Sequence, residues 1–439
     1  MDTPIFDFVG RYVEHGASRL HMPGHKGVGP LGCEARDITE IAGADELYAA
    51  RGIIAASEQN AAALFGAGAT FYATEGSSQC VRAMLYLAMT GRKNAARPVA
   101  LAARNAHKSL MYAAALCDFD VEWLLPEAGV GSICACPVTP AGLDARLHGM
   151  DMKPFCVFVT SPDYLGGTQD IAGLADVCHR HGVPLLVDNA HGAYLRFLPT
   201  SRHPLDLGAD LCCDSAHKTL PALTGGAYLH ISKDALRYAD AARDALALFG
   251  STSPSYLILQ SLDLCNAALA GDFPARLAET VEKVDALKRR LADLGHNVLP
   301  TEPMKLTLRG DGDQMCEALR RGGVECEYAD GEHVVLMFAP DNPDGDYIKI
   351  ERALRDLPPC RRPFEPVMWP APRAAMSPRQ AVFAPSEVVP IAAAEGRVCA
   401  APTVSCPPAV PIAVSGEVIT KDAVALLERY GVGHIRVVR

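Results

Sequence analysis

The sequence predicts an α/β protein built on a mostly parallel sheet of about seven strands. Two observations predict this class. Short, almost continuously apolar runs recur before residue 232, and helical or loop segments lie between most of them. Strands that are apolar on both faces are typical of a parallel sheet covered by helices on both sides. The strand candidates are TFYAT, PVALAA, FDVEWLL, FCVFVT, VPLLVD, ADLCCD and GAYLHI.

The segments around these strands follow in order. The first fifty-odd residues give little strand signal and include the Gly/Pro-punctuated loop HMPGHKGVGP. From about Ser57 the pattern becomes helical in SEQNAAALFGA and again in SSQCVRAMLYLAMTG, which ends at Gly91. In the second helix, apolar residues repeat at helical spacing. These residues are Val81, Met84, Leu85, Ala88 and Met89.

Beyond residue 232 the pattern changes to helices and weaker α+β segments. We predict a helix from near Pro254, a long charged helix in FPARLAETVEKVDALKRRLADLG, and α+β structure to about residue 357. Between Pro358 and Pro411 lie 13 of the 32 prolines, which indicates an extended connection. The tail GEVITKDAVALLERYGVGHIRVV reads as one helix and one strand. The predicted divisions are an arm (1–55), a large domain (56–250), a small α+β domain (251–357), and the connection with an appended domain (358–439).

Composition limits the class of partner. The 439 residues are 49% hydrophobic and 21% charged, with a net charge of −10 and no basic block, which argues against nucleic acid. The 15 cysteines are scattered through apolar segments without a C-x-x-C motif, so we expect reduced thiols and no metal site. The N-terminus lacks a basic n-region and an apolar h-region, and no apolar run approaches the length of a transmembrane helix. We therefore expect a soluble, cytoplasmic protein.

Four features that could carry chemistry follow predicted strands, where open α/β sheets gather ligand groups. They are the Gly76-Ser77-Ser78 turn that opens a helix, His107 in RNAHKS, Asp188 with His191 in VDNAHGAY, and Lys218 in DSAHKTL. Each has an ordinary alternative. The serines would serve as a helix cap, and the histidines, the carboxylate and the lysine as plain strand-end residues.

Taken together, the four features fit pyridoxal 5'-phosphate. A helix N-terminus with hydroxyls suits the phosphate, and His107 suits stacking on the ring. Asp188 suits pairing with the pyridinium nitrogen, and Lys218 suits a Schiff base with the aldehyde. A metal site explains the lysine poorly, and the G-x-S-x-G elbow of a Ser-His-Asp hydrolase is absent from the sequence.

The motifs resemble one family along nearly the whole chain. They are HMPGHKG (21–27), DITE and GADEL (37–47), TEGSSQ (74–79), RNAHKS (104–109), SPDYLG (161–166), VDNAHGAY (187–194), DSAHKTLPALTGGAYLH (214–230) and CPPAVPIAVSGE (406–417). This set resembles the Orn/Lys/Arg decarboxylases among the fold-type-I pyridoxal-phosphate enzymes. The similarity is greatest to the shorter bacterial type without an N-terminal wing domain.

The resemblance implies an aspartate-aminotransferase-like three-layer sandwich and decarboxylation of a basic L-amino acid through a Lys218 Schiff base, within polyamine biosynthesis. Arginine is favoured, then lysine or ornithine. It also implies a homodimer, or a higher oligomer, with a shared active site. The implied catalytic residues are Lys218, Asp188 and His217. The implied cofactor contacts are Gly76, Ser77, Ser78, His107, Asp188, Ala190, His191, Ser215, His217 and Lys218, with Ser251 and Thr252 reaching the neighbouring subunit.

Three acids, Asp45, Glu46 and Glu417, are candidates for the distal cation of the substrate, and each has the alternative of a solvated surface acid. Three positions depart from the family pattern, namely Glu75, the Gly225-Gly226 pair, and Ser415 before Gly416-Glu417. They leave substrate choice open. Two other functions also stay open, another fold-type-I reaction such as transamination or β-elimination, and an inactive regulatory homologue.

Overall fold

A computed structural model describes residues 1–91, 97–358, 365–402 and 408–439. It contains all seven strands that the sequence predicts before residue 232. The strands are β1 (Ala69–Ala73), β2 (Val99–Ala103), β3 (Asp120–Leu124), β4 (Cys156–Thr160), β5 (Leu185–Asp188), β6 (Leu211–Asp214) and β7 (Ala227–Ile231). Six of them are almost wholly buried, as expected of sheet interior, whereas the edge strand β3 is only partly buried.

These strands form a seven-stranded sheet in the order β1-β7-β6-β5-β4-β2-β3. β5 and β6 run parallel, as do β2 and β3, and β2 and β4. β7 is antiparallel to both β1 and β6. The predicted fold class, a mostly parallel sheet in an α/β chain, is confirmed. Because β5 and β6 run in the same direction, the residues that follow Asp188 and Asp214 emerge at the same end of the sheet.

Fourteen α-helices accompany the sheets in the described part of the chain. They are α1 (Pro4–His15), α2 (Ile53–Phe65), α3 (Ser77–Met89), α4 (Ser109–Cys117), α5 (Pro140–His148), α6 (Ile171–Arg180), α7 (Ala216–Thr219), α8 (Ala242–Ala247), α9 (Tyr256–Ala270), α10 (Phe273–Asp293), α11 (Gly312–Arg321), α12 (Asp344–Leu354), α13 (Pro378–Phe383) and α14 (Lys421–Arg429). The two helices predicted after residue 250 correspond to α9 and α10. None of the helices in the described residues has the length and apolarity needed to cross a membrane.

Two smaller sheets follow residue 296. One has four strands in the order β10-β11-β9-β8 and the other has three in the order β12-β14-β13, as α+β patterning predicts. Their strands are β8 (Asn297–Val298), β9 (Lys305–Arg309), β10 (Tyr328–Ala329), β11 (His333–Met337), β12 (Ser386–Pro390), β13 (Cys399–Ala401) and β14 (His434–Val438). The predicted C-terminal helix and strand correspond to α14 and β14.

The proline-rich segment is more ordered than the sequence predicts. Within residues 358–411, expected to be an extended connection, the structure contains α13, β12 and β13. Pro378 opens α13 in its first turn, where a missing N–H costs no hydrogen bond, and Ser377 and Gln380 form a capping box. Residues 359–364 and 403–407 of this segment lie outside the described residues. The interpretation as a purely extended connection is therefore wrong for its middle part.

The chain divides into two compact units, one of residues 1–92 and 184–275 and the other of residues 93–183 and 276–439. In the first unit, Phe65 packs its ring 5.4 Å from that of Tyr228 and 4.4 Å from that of His230. In the second unit, Trp369, Ile412 and Ile435 belong to one large cluster of buried apolar residues. The four domain boundaries predicted from the sequence stay a prediction.

Candidate active site

The strand ends of the first unit carry the two residues on which the predicted chemistry depends. Asp188 is the last residue of β5 and lies in register with Cys213 of the parallel strand β6. Lys218 lies in α7, the short helix that follows β6 after Ser215. β5 and β6 are apolar and fully buried up to these points, so they fix the backbone that carries both side chains.

Lys218 is held from the β5 side. Its Nζ lies 3.0 Å from Nε2 of His191, in the turn after Asp188. His191 is buried, whereas Lys218 is half-buried. The structure therefore brings together the predicted Schiff-base lysine and the predicted cofactor contact His191.

Asp188 is a buried carboxylate whose hydrogen bonds only weakly offset the cost of its burial. Its Oδ1 accepts a hydrogen bond from the backbone N–H of Ala190 at 3.2 Å and one from Cys213 Sγ at 3.6 Å. Burial raises the pKa of Asp188, while the positive charge of Lys218 lowers it. Neither contact neutralises the carboxylate, so a cationic ring nitrogen beside it would relieve the cost of its burial.

An anion site fits the start of α3. Gly76 adopts φ 72° and ψ 177°, a conformation that L side chains rarely adopt, and so turns the chain into the helix. Ser77 and Ser215 approach each other, with the Ser215 hydroxyl 2.7 Å from that of Ser77. Ser78 is half-buried in the same turn. Hydroxyls and unpaired N–H groups at a helix N-terminus suit a phosphate group.

The Gly225-Gly226 pair, which departs from the family pattern, has a structural reason. Gly225 accepts the backbone N–H of Gly76 at 2.8 Å. A Cβ on Gly225 would lie 2.7 Å from the Thr74 carbonyl, and its φ of +99° is unfavourable for other residues. Glycine thus lets the strand after the lysine approach the serine turn.

A hydrogen bond to the backbone determines which ring nitrogen of His217 carries the proton in the neutral ring. Its Nδ1 lies 3.0 Å from the carbonyl oxygen of Gly226, which can only accept. Nδ1 therefore carries a proton and Nε2 is the atom that gains or loses one. The predicted catalytic role of His217 stays a prediction, with Nε2 as its reactive atom.

His107 belongs to the second unit, where it follows β2. Its Nδ1 lies 2.8 Å from the Ser109 hydroxyl and accepts the backbone N–H of Ser109 at 3.1 Å, at the start of α4. These two contacts fix the His107 ring beside the N-terminus of α4. Its predicted stacking on the cofactor stays a prediction.

Among the candidate substrate acids, Asp45 has a structural role. Its carboxylate accepts the backbone N–H groups of Gly52 at 2.7 Å and Ile54 at 3.2 Å, where α2 begins. These bonds favour helix capping over the predicted substrate contact. Glu46, next to it, is exposed. Its substrate role stays a prediction.

Glu417 lies in a buried cluster of the second unit. Its Oε2 accepts a hydrogen bond from Arg104 at 3.1 Å and one from the Val414 N–H at 3.1 Å, and its Oε1 accepts one from Trp123 at 3.0 Å. Trp123 and Trp369 lie against the Arg104 guanidinium at 4.5 and 5.0 Å. This cluster favours a structural role for Glu417, and its substrate role also stays a prediction. Cys406 and Pro407 of the same motif lie outside the described residues.

The segment predicted to reach a neighbouring subunit is exposed. Ser251, Thr252 and Ser253 all face solvent. The backbone N–H of Ser251 donates to the Glu75 carboxylate, which gives this departure from the family pattern a local role. The contact holds the segment near the serine turn that Glu75 precedes.

Two groups of side chains in the described residues are close enough to hold a metal ion, and no local motif in the sequence predicts either group. Asp144, His148 and His181 lie at the surface, where Arg180 shares the Asp144 carboxylate at 3.2 Å and so competes with a cation. The other group, His203, Asp214 and His230, is fully buried. Their wide spacing in the chain explains why local motifs did not reveal it.

Comparisons with known proteins identify the family. Residues 3–310 match the family model for the major domain of Orn/Lys/Arg decarboxylase, and residues 361–430 match the model for its C-terminal domain. Among curated relatives, an arginine decarboxylase of Bacillus subtilis is 27% identical and covers 97% of this chain and 93% of its own. An uncharacterised protein, YaaO, of the same species is 28% identical over 98% and 94%.

Solved structures confirm the fold. Escherichia coli constitutive lysine decarboxylase aligns with a TM-score of 0.80 at 17% identity, covering 100% of this chain and 82% of its own. Sphingomonas wittichii serine palmitoyltransferase aligns at 0.57 with 15% identity, covering 80% and 84%. The family match spans more than half of the chain. The chain therefore belongs to the Orn/Lys/Arg decarboxylase family of pyridoxal-phosphate-dependent enzymes.

Proposed function

We propose that this enzyme decarboxylates arginine, with lysine or ornithine as weaker candidates, and holds pyridoxal phosphate on Lys218. The observation that carries the proposal is the pairing of Lys218 with His191 at 3.0 Å beside the buried Asp188. Arginine is favoured because several relatives that cover most of this chain are named arginine decarboxylases, at 26–28% identity. The lysine decarboxylase of Pseudomonas aeruginosa covers 56% of the chain.

The residues fit this cofactor. The α3 N-terminus with Ser77 and Ser215 would hold the phosphate, and Asp188 would hold the ring nitrogen. When bound, the cofactor supplies an electron sink for the bond to the departing carboxylate. Asp188 would stabilise positive charge on the ring nitrogen, since a buried carboxylate interacts strongly with an adjacent cation.

Two side chains can handle the proton that replaces the carboxylate on Cα. Lys218 Nζ is kept in place by His191, and Nε2 of His217 is the titrating atom of that ring. Either group would deliver a proton at that carbon and recover one from solvent, to which both are partly exposed. The expected products are CO2 and the amine of the substrate.

Lys218→Ala tests the cofactor assignment. We expect the purified variant to lack the visible absorbance band of lysine-bound cofactor and to lose activity by several orders of magnitude, since the nucleophile is gone. Lys233→Ala is a matched control, because this lysine is exposed at the surface of the same unit. An unchanged band in Lys218→Ala would contradict the assignment.

Substrate choice is tested by measuring CO2 release from arginine, lysine and ornithine under the same conditions. We expect the highest kcat/KM for arginine. A preference for lysine would change the substrate and leave the reaction intact. Release of no CO2 together with formation of a keto acid would instead indicate transamination, and binding without turnover an inactive homologue.

We also propose a homodimer with a shared site. Leu20, Val28 and Leu31 in the N-terminal loop are 95%, 81% and 82% exposed in a single chain, a cost that burial against a second copy would remove. The exposed Ser251 and Thr252 would then be available to the neighbouring subunit. Light scattering should give twice the monomer mass, and Leu31→Asp should lower it towards the monomer.

A further inference from the structure

Asp214, the last residue of β6, is the centre of a buried polar hub in the first unit. It is 0% exposed and accepts hydrogen bonds from Asn189 Nδ2 at 2.6 Å, His203 Nε2 at 3.0 Å and His230 Nε2 at 3.2 Å. Asn189 directly follows Asp188. We define the hub as Asp214, Asn189, His203 and His230.

The second ring nitrogens distinguish a hydrogen-bond hub from a metal centre. His203 Nδ1 accepts the backbone N–H of Leu205, so the proton of the neutral ring lies on Nε2, facing Asp214. A metal at Nε2 would require the proton on Nδ1, where it would oppose the Leu205 N–H. His230 Nδ1 lies 2.8 Å from the Thr70 hydroxyl, which can act as donor or acceptor. We therefore interpret the hub as three N–H donors that bind one carboxylate, and not as a metal centre.

The electrostatics agree with that arrangement. Burial alone would raise the pKa of Asp214, but the hydrogen bonds that His203 and His230 donate to it outweigh burial and hold the pKa below its ordinary value. Burial also lowers the pKa of His230, which favours its neutral ring. The hub thus holds a buried anion at the strand ends that carry the site.

The hub links the ends of β5 and β6, which carry the predicted catalytic groups, to β7. Asn189 follows β5, Asp214 ends β6, and His230 lies in β7 opposite Thr70 of β1. The Asn189 N–H also donates to the Cys213 carbonyl at 3.0 Å, so residue 189 is fixed by both its backbone and its side chain. One covalent neighbour of the hub is Asp188, and another is Ser215.

We propose that Asp214 is a positioning residue, which through Asn189 fixes Asp188 relative to Lys218. This inference rests on the proposed function of Lys218 and Asp188. Asp214 itself is not proposed to contact substrate or cofactor. A carboxylate suits the position because it accepts three N–H donors, whereas an amide would present an N–H to one of them.

The test compares Asp214→Asn with Asp263→Asn in the purified holoenzyme. Asp263 is also 0% exposed in the first unit, but it binds the Ser57 hydroxyl and the N–H groups that open α1, away from the hub. Both variants should lose thermal stability. Only Asp214→Asn should weaken pyridoxal phosphate binding and move the pH midpoint of its visible band. Its kcat should fall roughly ten- to a hundredfold at similar KM.

Asn189→Ala is the second variant, needed because Asp214→Asn can fail to fold. It removes the link to Asp188 and keeps both histidines on Asp214. It should reproduce the loss of kcat and the shifted midpoint with a smaller loss of stability. If both hub variants change only the melting temperature, as Asp263→Asn does, the positioning role is overturned. If the wild type binds no pyridoxal phosphate, the proposed function fails and the positioning role fails with it. This result differs from a wild type that binds the cofactor while the hub variants leave cofactor binding and kcat unchanged, which would overturn the positioning role alone.

Discussion

At the scale of residues, the two buried carboxylates that end β5 and β6 have pKa values shifted in opposite directions, because their hydrogen-bond partners differ. Asp188 is bound by one N–H and one thiol, so burial raises its pKa. Asp214 is bound by an amide and two imidazoles, and its pKa is lowered. An underbound carboxylate attracts an external cation, and a saturated one does not. This difference is the reason why we propose Asp188 as the cofactor contact and Asp214 as its support.

Asp163 of the SPDYLG motif gives a pH prediction. Burial raises its pKa from 3.8 to about 6, although its Oδ1 accepts the N–H groups of Leu165 and Gly167, both at 2.9 Å. Since the folded-state pKa lies above the unfolded one, the folded state binds more protons between these values. The free energy of unfolding therefore falls as pH rises through that window.

Asp163→Asn should remove this dependence, because the amide oxygen can accept the same two N–H groups without a charge. The variant should gain about 2 kcal/mol relative to wild type between about pH 4.5 and pH 6.5, measured by urea denaturation. Asp313→Asn, an exposed acid of the same unit, should show no such gain. Parallel pH profiles for wild type and Asp163→Asn would contradict the assignment.

At the scale of elements, the N-terminus of α2 is capped by a residue outside the helix, Asp45. Gly52 occupies the N-cap and has no side chain to offer. Asp45, seven residues upstream, instead accepts the N–H of Gly52 and the N–H of Ile54 in the first turn. A carboxylate at a helix N-terminus also interacts favourably with the helix dipole. The helix that precedes β1 is thereby tied to the GADEL motif.

Asp45→Ala should lower the free energy of unfolding by roughly 1 kcal/mol and leave KM for the basic amino acid unchanged. Glu46→Ala is the neighbouring control, because this exposed side chain caps no helix. Thermal melting and steady-state kinetics measure the two effects. A raised KM with unchanged stability in Asp45→Ala would restore the predicted substrate role.

The elements that the sequence predicts well are those decided locally. The seven strands were predicted because each is an apolar run, and Asp188 and Lys218 because each follows such a run. The helix α13 was missed because its prolines suggested an extended chain, although Pro378 occupies a first turn. The hub was missed because His203 and His230 reach Asp214 only through tertiary folding.

At the scale of the whole molecule, Arg104 connects distant parts of the second unit. This guanidinium is 1% exposed and donates to the Ile412 carbonyl at 2.7 Å and to Glu417 at 3.1 Å. Its Nε and Nη1 have no hydrogen-bond partner among the described residues, so Glu417 and the stacked indoles supply much of its compensation.

Glu417→Gln should therefore lower the melting temperature by roughly 5 to 10 °C, since it leaves a buried cation without its anion. Glu387→Gln is the control, because Glu387 pairs with Arg397 at 2.7 Å in a partly exposed bridge, whose loss should shift melting by about 1 °C. Equal shifts in the two variants would contradict the structural role of Glu417. A raised KM with unchanged melting would favour the substrate role.

The same arginine sets an order of events during protein synthesis. Its two acceptors lie 308 and 313 residues further along the chain, so the ribosome adds them roughly 15 to 60 s after Arg104 itself. Until then the nascent chain holds β2 with an unpaired guanidinium at its end, which water must solvate. The second unit consequently completes its core only after Glu417 has been synthesised, and during that interval its apolar strands are open to chaperones and to aggregation.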